Sequence, residues 1–144
     1  MCFALYSASL TLTKVYKPLL QKLGLTYPQY LVMLVMWEED GRSVSELGER
    51  LFLDSGTLTP LLKRLEGLEF IARLRDATDE RCVIVSLTST GRKLQKQAQV
   101  VPQKISRATG CSLPELAALT RQLADLRAAL LRNIGNTRRS SSTN

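Results

Sequence analysis

A chain of 144 residues with 44% hydrophobic residues suits one folded domain, and this composition argues against disorder of the whole chain. The net charge of +7 favours a polyanionic partner such as DNA, RNA or an anionic membrane surface, and is also compatible with simple solubility. The absence of histidine excludes Ser-His and Cys-His catalytic pairs and histidine metal ligands, so we expect no cofactor and no metal. No apolar run approaches the ~20 residues of a membrane span, which predicts a cytoplasmic protein without a membrane partner.

The N-terminal part of the chain predicts two helices. Apolar residues recur at helical spacing over residues 1–23, and Gly24 is typical of a helix end. Thr26 and Gln29 have the spacing of a capping box, which predicts a second helix over about residues 27–38. Because this second helix is apolar on nearly all sides, we expect it at the centre of the domain.

The next segment has the pattern of a helix-turn-helix. Ser43 and Glu46 form a second capping box that begins a short helix through about Leu51. Asp54 can cap another helix, predicted over residues 55–67, whose leucines face inward while serine, threonine, lysine and arginine face outward.

Two strand-like segments follow directly. Residues 70–75 and 82–87 are rich in β-branched and apolar residues, and the polar run 76–81 between them is typical of a turn. They predict a β-hairpin with a charged tip behind the helix-turn-helix, which is the position of a wing. The predicted fold class is therefore mainly α with a small β-hairpin wing, a winged helix-turn-helix.

The remaining residues predict two further helices. The first runs from about residue 90 to about residue 107, and Gly110 interrupts it. The last, roughly residues 113–134, carries leucines at three- and four-residue steps. We expect Gly135 to end this helix and residues 136–144 to form a disordered basic tail.

The second helix of the helix-turn-helix and the hairpin carry side chains suited to DNA. Short polar and basic side chains bond phosphates and base edges, and an arginine at a wing tip fits the negative potential of the minor groove. A solvated polar face of an ordinary helical domain is the alternative, but the order helix, helix, charged hairpin, long helix favours DNA binding. The predicted DNA-binding residues are Ser55, Thr57, Thr59, Pro60, Lys63, Arg64, Arg75, Asp79 and Arg81, with Asp79 holding Arg81 in place.

Several of these segments resemble the MarR family of transcription regulators. The resemblance lies in residues 43–47 and 53–65 of the helix-turn-helix and in the wing pattern from Asp79 to Gly91. Residues 25–30 and 53–63 are more narrowly similar to the organic hydroperoxide-sensing subgroup, OhrR.

The resemblance implies an obligate homodimer with interlocked terminal helices. Residues 1–38 and 92–135 would form the dimerisation region, and residues 39–91 the DNA-binding lobe. It also implies a repressor that binds a pseudo-palindromic double-stranded DNA operator and leaves it when an organic hydroperoxide oxidises the protein.

The three cysteines are too scattered for a zinc site or a disulfide framework, and each is either an inert or a reactive thiol. Cys2 lies at the start of the first predicted helix, where the helix dipole stabilises a thiolate. From the residues alone, an inert thiol is the simpler interpretation of Cys2, but the OhrR resemblance implies that Cys2 is the peroxidatic cysteine. We expect Cys82, on the wing strand, to be a packing residue.

The resemblance also implies tyrosines around the thiolate. Fourteen residues of one helix, about 21 Å, separate Cys2 from Tyr16, so the two cannot touch within one chain. If Tyr16 and Tyr27 bind the thiolate as in the subgroup, they therefore come from the other subunit, whereas Tyr6 can line the pocket from within the chain. Core packing is the alternative for all three tyrosines.

The OhrR resemblance leaves the second thiol open. Two-cysteine members use a resolving cysteine from the partner's C-terminal region, for which Cys111 is the candidate, although Arg107 aligns better with that position. The alternative is capping by a small-molecule thiol.

Two rival functions are a MarR-type regulator that binds an aromatic ligand and a thiol peroxidase using Cys2. No arginine or histidine is placed to assist turnover, so we do not expect an enzyme.

Overall fold

The computed structural model of the protein describes residues 1–76, 78, 79 and 81–140. The chain forms two compact units, Met1–Ile105 and Ser106–Asn144. The helices are α1 (Cys2–Gln21), α2 (Tyr27–Glu38), α3 (Val44–Leu51), α4 (Ser55–Gly67), α5 (Ser89–Ala98), α6 (Val100–Thr109) and α7 (Leu113–Ser140), and the strands are β1 (Arg42–Ser43), β2 (Ile71–Arg75) and β3 (Val83–Leu87).

Helix α2 is the centre of the first unit, as its composition predicted. Its N-terminus is closed by the expected capping box, in which Gln29 N–H donates to the Thr26 hydroxyl and Thr26 N–H donates to the Gln29 side chain at 2.8 Å. The core around it is aliphatic and continuous, and includes Leu20 of α1, Leu47 of α3, Leu58, Leu62 and Leu65 of α4, Val85 of β3 and Leu94 of α5. Burial of these side chains is the main force that holds α2 among its neighbours.

The helix-turn-helix has the caps and the tight turn that the sequence predicted. Ser43 and Glu46 form the capping box of α3, and Asp54 caps α4 through Thr57 N–H at 2.9 Å. Gly48 lies within α3 and faces this turn, because a Cβ at Gly48 would lie 2.9 Å from the carbonyl oxygen of Leu53. The turn can fold this closely against α3 only when position 48 has no side chain.

The wing contains one strand more than the sequence predicted. β1, β3 and β2 form an antiparallel sheet in that order, with Arg42 opposite Val85 in the register of β1 and β3. The sequence predicted only the hairpin of β2 and β3, so that interpretation was incomplete. A strand of two residues has no periodicity, so only its pairing with β3 defines it.

The C-terminal helices differ from the prediction in two places. The helix expected from residue 90 to 107 is divided into α5 and α6 at Gln99, because Pro102 has no N–H to donate to the carbonyl group four residues earlier. Helix α7 continues through Gly135 to Ser140, so the expected end at Gly135 was wrong. A glycine weakens a helix by only about 1 kcal/mol and does not forbid it. Residues 141–144 of the predicted tail lie outside the described residues.

In the part of the chain that the structure describes, no helix combines the length and the apolar character that a bilayer crossing requires.

We predict that Gly91→Ala destabilises the protein. A Cβ at Gly91 would lie 2.0 Å from the carbonyl oxygen of Phe70, a backbone atom that cannot move aside, so overpacking should cost ~3 kcal/mol or more. Unfolding in urea at a fixed protein concentration measures the free energy of unfolding of the variant and of the wild type.

Gly67→Ala is the matched control, because nothing lies within 4 Å of its Cβ position and Gly67 is helical. This control should be neutral or stabilise by about 0.5–1 kcal/mol. Equal stability of the two variants would contradict the close approach at Gly91.

Candidate nucleic-acid interface and thiol site

The exposed face of α4 carries most of the predicted DNA-binding residues. Ser55, Thr57, Pro60, Lys63 and Arg64 are exposed on this helix. Lys63 and Arg64 bring positive charge that suits phosphates to this face, while the Asp54 carboxylate occupies the N–H of Thr57 in the first turn.

Two threonines of α4 are more constrained than the sequence indicated. The Thr57 hydroxyl donates to Asp54 at 2.9 Å, so in this geometry it presents only its acceptor lone pairs outward. These hydrogen bonds from Thr57 hold the pKa of the Asp54 carboxyl below its ordinary value. Thr59 is half-buried and lines a cleft of about 350 Å³ between α4 and the wing, which Arg73, Arg81 and Cys82 also line.

An ion pair ties the wing to α4. The guanidinium of Arg73 on β2 donates to the Glu66 carboxylate of α4 through Nε at 3.0 Å and through a terminal nitrogen at 2.5 Å. This pairing holds the pKa of Glu66 below its ordinary value. The two-point contact fixes the direction in which the wing leaves α4.

The wing tip is organised by carboxylates. Asp76 accepts hydrogen bonds from the N–H of Thr78 at 2.7 Å and from the N–H of Asp79 at 3.2 Å, and bonds from Thr78 lower the pKa of Asp76. Asp79 accepts the backbone N–H of Arg81 at 3.0 Å. The sequence predicted that Asp79 holds Arg81 in place. In the structure the contact is between the Asp79 carboxylate and the backbone N–H of Arg81. The side chains of Arg75 and Arg81 are exposed at this end of the wing.

Cys2 is the first residue of α1, as predicted, and its thiol is exposed. It lies on an apolar surface, because Phe3 is 83% exposed and Tyr6, one turn further, is 66% exposed. This end of α1 has no side-chain cap, so its free N–H groups face solvent beside the thiol.

Tyr16 and Tyr27 form an aromatic cluster away from Cys2. Their ring centroids are 4.8 Å apart, and Tyr30 lies 5.8 Å from Tyr16. Burial raises the pKa of Tyr16 to about 12, with a further contribution from Tyr27 and Tyr30, and burial raises the pKa of the other two as well. All three phenols are therefore neutral hydrogen-bond donors at physiological pH.

The cluster contains a third tyrosine, Tyr30, which the sequence did not indicate beside Tyr16 and Tyr27. Tyr30 is 1% exposed. Its spacing of three from Tyr27 places both on one face of a helix, and this signal could have identified it.

One unbroken helix separates Cys2 from this cluster. α1 includes both Cys2 and Tyr16, so about 21 Å of helix lies between them. Tyr6 is ten residues from Tyr16 along the same helix, so the structure does not bring Tyr6 into the cluster. Within one chain, the predicted thiol site is divided into two parts.

The other cysteines lie in different places. Cys111 is exposed between α6 and α7, and its thiol donates to the Thr109 carbonyl at 3.5 Å. Cys82 is half-buried, and its backbone closes the wing tip through a hydrogen bond to the Asp79 carbonyl at 2.8 Å. The side chain of Cys82 also lines the cleft beside α4, and its role as a packing residue stays a prediction.

Comparison with known proteins assigns the family. Residues 14–98 match the family model described as transcriptional regulator SarA/Rot. The chain belongs to this SarA/Rot family, a MarR-like family of transcriptional regulators. The predicted resemblance to MarR-type regulators is thereby confirmed, and the protein is a regulator and not an enzyme.

Two relatives of this SarA/Rot member are similar over most of the chain. The HTH-type transcriptional regulator TtmR of Methylorubrum extorquens is 50% identical over 137 residues, which are 95% of this chain and 70% of the relative. The organic hydroperoxide resistance transcriptional regulator of Bacillus subtilis is 49% identical over 119 residues, which are 81% of each protein.

Solved structures of AbfR from Staphylococcus epidermidis share the fold. Reduced AbfR bound to DNA has a TM-score of 0.77 and 35% identity, and the match covers 92% of this chain and 91% of AbfR. An overoxidised AbfR bound to DNA has a TM-score of 0.73, with 36% identity and 90% coverage of each chain. A disulfide form of AbfR has a TM-score of 0.64, with 38% identity and coverage of 87% and 88%. The winged helix-turn-helix fold of the SarA/Rot member is confirmed.

We predict that Tyr16 makes the stability of the fold dependent on pH above 10. The pKa rises from 10.0 to about 12 on folding, so between these values the folded chain keeps a proton that the unfolded chain loses. The contribution of this proton to the free energy of unfolding is fully present below pH 10 and is lost as the pH rises through 12. Unfolding in urea across this range should show a smaller decline for Tyr16→Phe than for the wild type.

Tyr27→Phe is the informative companion, because the charge of ionised Tyr27 raises the pKa of Tyr16. Ultraviolet titration of tyrosinate should show a lower pKa for Tyr16 in that variant. Superimposable stability profiles of wild type and Tyr16→Phe above pH 10 would show that Tyr16 is not perturbed.

Proposed function

We propose that the protein is a dimeric, cytoplasmic DNA-binding repressor that an organic hydroperoxide inactivates by oxidising Cys2. DNA binding is supported mainly by one observation. The Glu66–Arg73 ion pair joins the basic helix α4 to the basic wing in one lobe. The exposed thiol at the N-terminus of α1 carries the redox part. The name of the Bacillus subtilis relative and the redox states of AbfR support the same function.

The dimer is supported by apolar side chains that a single chain leaves in water. Helix α1 exposes Phe3, Leu5, Tyr6, Leu10, Leu12 and Val15. Helix α7, in the other unit, exposes Leu113, Leu119, Leu123, Leu130, Leu131 and Ile134. Helical stripes of this size are typical of protein interfaces, and a second copy would cover them.

The dimer also reunites the divided thiol site. Because α1 keeps Cys2 and Tyr16 about 21 Å apart, the tyrosine cluster reaches the thiol only from the partner. Neutral phenols donate hydrogen bonds to a thiolate and to a peroxide oxygen. The apolar surroundings, with Phe3 exposed beside Cys2, favour an alkyl or lipid hydroperoxide over hydrogen peroxide.

The chemistry balances as a two-electron oxidation. The Cys2 thiolate attacks the terminal oxygen of the hydroperoxide and the O–O bond breaks, so that the thiolate becomes a sulfenic acid, while the leaving alkoxide takes a proton from water and departs as an alcohol. A second thiol then displaces water from the sulfenic acid and forms a disulfide. Cys111 of the partner or a small-molecule thiol supplies it, and the exposure of Cys111 is compatible with the first route.

Oxidation at the dimer interface acts on DNA through geometry. Each lobe binds one half-site, and the dimer fixes the distance between the two lobes. A new covalent bond near the interface changes that distance, so that only one half-site is occupied at a time. Losing the second attachment lowers affinity by about 10²–10⁴ without altering any DNA-contacting residue.

A second candidate rests on a different cavity. Tyr30, Leu34 and Trp37 line an apolar cleft of about 230 Å³ between α2 and the helices α5 and α6. Stacking surfaces of this kind suit a flat aromatic ligand. In that case the regulator would respond to non-covalent binding, and Cys2 would be dispensable.

We predict that Lys63→Ala weakens DNA binding for all sequences. The probe is the duplex that reduced wild-type protein selects from a random-sequence library, called here the selected duplex. Loss of one phosphate contact should reduce the slope of log affinity against log salt by about 1 per lobe.

Lys14→Ala, an exposed lysine of α1, is the matched control and should keep the wild-type slope. Fluorescence anisotropy at several salt concentrations measures both variants. An unchanged slope for Lys63→Ala would remove this side chain from the interface.

We predict that stoichiometric cumene hydroperoxide lowers affinity for the selected duplex about a hundredfold or more in the wild type. Cys2→Ser should bind as tightly as reduced wild type and show no response, while Cys82→Ser should respond normally. Stoichiometric oxidant matters, because AbfR was solved bound to DNA in an overoxidised state.

Release of Cys2→Ser by peroxide to the same extent as wild type would overturn the redox proposal. Release of Cys2→Ser by aromatic acids, with no effect of peroxide on the wild type, would support the second candidate. A covalent dimer on a non-reducing gel that disappears in Cys111→Ser identifies the partner thiol. A persistent response without that dimer assigns a small-molecule thiol instead.

A further inference from the structure

The root of the wing is held by side chains that lie outside it. Leu87 is the last residue of β3, and its N–H donates to Oδ1 of Asp40 at 2.7 Å. Its carbonyl accepts a hydrogen bond from the Arg92 guanidinium at 3.3 Å. Arg92 in turn pairs with Oδ2 of Asp40 at 2.7 Å. Both backbone groups of Leu87 are thus fixed by one closed network of two side chains.

The position of Asp40 follows from the register of the sheet. β1 pairs with β3 so that Arg42 faces Val85 and Ser43 faces Ile84. Continued by two residues, the same register places Asp40 opposite Leu87, beyond the end of β1. There a carboxylate oxygen takes the place of a strand carbonyl as the acceptor for Leu87.

The same junction is bound to the central helix. Asp40 follows the C-terminus of α2 closely, and the Trp37 indole N–H of α2 donates to the Gly91 carbonyl of α5 at 3.0 Å. The Thr88 hydroxyl donates to the Glu69 carbonyl at 2.5 Å, which connects the junction to the end of α4. Hydrogen bonds therefore connect the root of the wing to α5 and to the C-terminal end of α4, and α5 in turn to α2.

We propose that Asp40 is a positioning residue for DNA binding, which sets the direction of the wing and so the location of Arg81. Arg81 lies six positions before Leu87, and a chain of that length, most of it the extended strand β3, makes a lever of about 20 Å. A rotation of about 10° at the root would move the tip by about 3.5 Å, the full length of a hydrogen bond. Control of the root is therefore control of the contact that Arg81 makes.

The exposure of the pair supports positioning over global stability. The side chain of Arg92 is 60% exposed and that of Asp40 is 28% exposed. Ion pairs this accessible contribute little to folding free energy. The pair nevertheless restricts the direction in which β3 leaves the root of the wing. Asp40 holds the N–H of Leu87 and Arg92 holds its C=O, so the backbone of this residue is attached at two points.

The inference rests on the proposed DNA binding, and a double-mutant cycle on the selected duplex tests it. Affinities are measured for Asp40→Ala, Arg81→Ala and the double variant, under reducing conditions and well below the melting temperature of each. Asp40→Asn keeps an acceptor for the Leu87 N–H and loses the charge. Glu39→Gln is the matched control, since that neighbouring carboxylate pairs with Arg42 instead.

We expect Asp40→Ala to lose about tenfold in affinity, and Arg81→Ala to add little in that background because its contact is already lost. Asp40→Asn should recover most of the affinity, and Glu39→Gln should bind as wild type. Full additivity of Asp40→Ala and Arg81→Ala, or a lowered melting temperature with unchanged affinity, would overturn the positioning role alone. Failure of wild-type protein to select any duplex would overturn the proposed function, and with it this inference.

Discussion

The burial of α2 is the constraint on which the rest of this structure depends. The helix is apolar on nearly every side, so it can exist in water only when α1, α3, α4 and α5 surround it. Its two ends then serve different purposes. Tyr27 and Tyr30 at its beginning form the phenol cluster with Tyr16, while Trp37 near its end fixes the start of α5. One buried helix therefore links the tyrosine cluster to the base of the winged helix-turn-helix.

The division of the thiol site explains why dimerisation belongs to the mechanism that we propose. A straight helix gives Cys2 solvent access and at the same time keeps it away from the phenols of its own chain. In that proposal reactivity depends on assembly, because the hydrogen-bond donors for the thiolate come from a second copy. The exposed, apolar N-terminus of α1 suits both an apolar hydroperoxide and a partner chain.

Much of the fold could be predicted because its helices are delimited by local chemistry. The capping boxes at Thr26 and Ser43 and the cap at Asp54 involve residues three positions apart, and all three were predicted correctly. Prediction failed where the deciding contact is distant or weak. β1 is defined only by pairing with β3, and Gly135 is tolerated inside α7.

For this protein the sequence by itself determined helices α1 to α4 and the two hairpin strands in their order, the exposed polar face of α4, the charged wing and the place of Cys2 at a helix start. These depend on periodicity, capping and turn chemistry, which act over a few residues. Only the tertiary structure decided that Tyr30 joins Tyr16 and Tyr27, that Glu66 binds Arg73, and that Asp40 holds Leu87. Those contacts join residues from seven to 47 positions apart in different elements, and their partners are selected by how the elements pack, which no local pattern records.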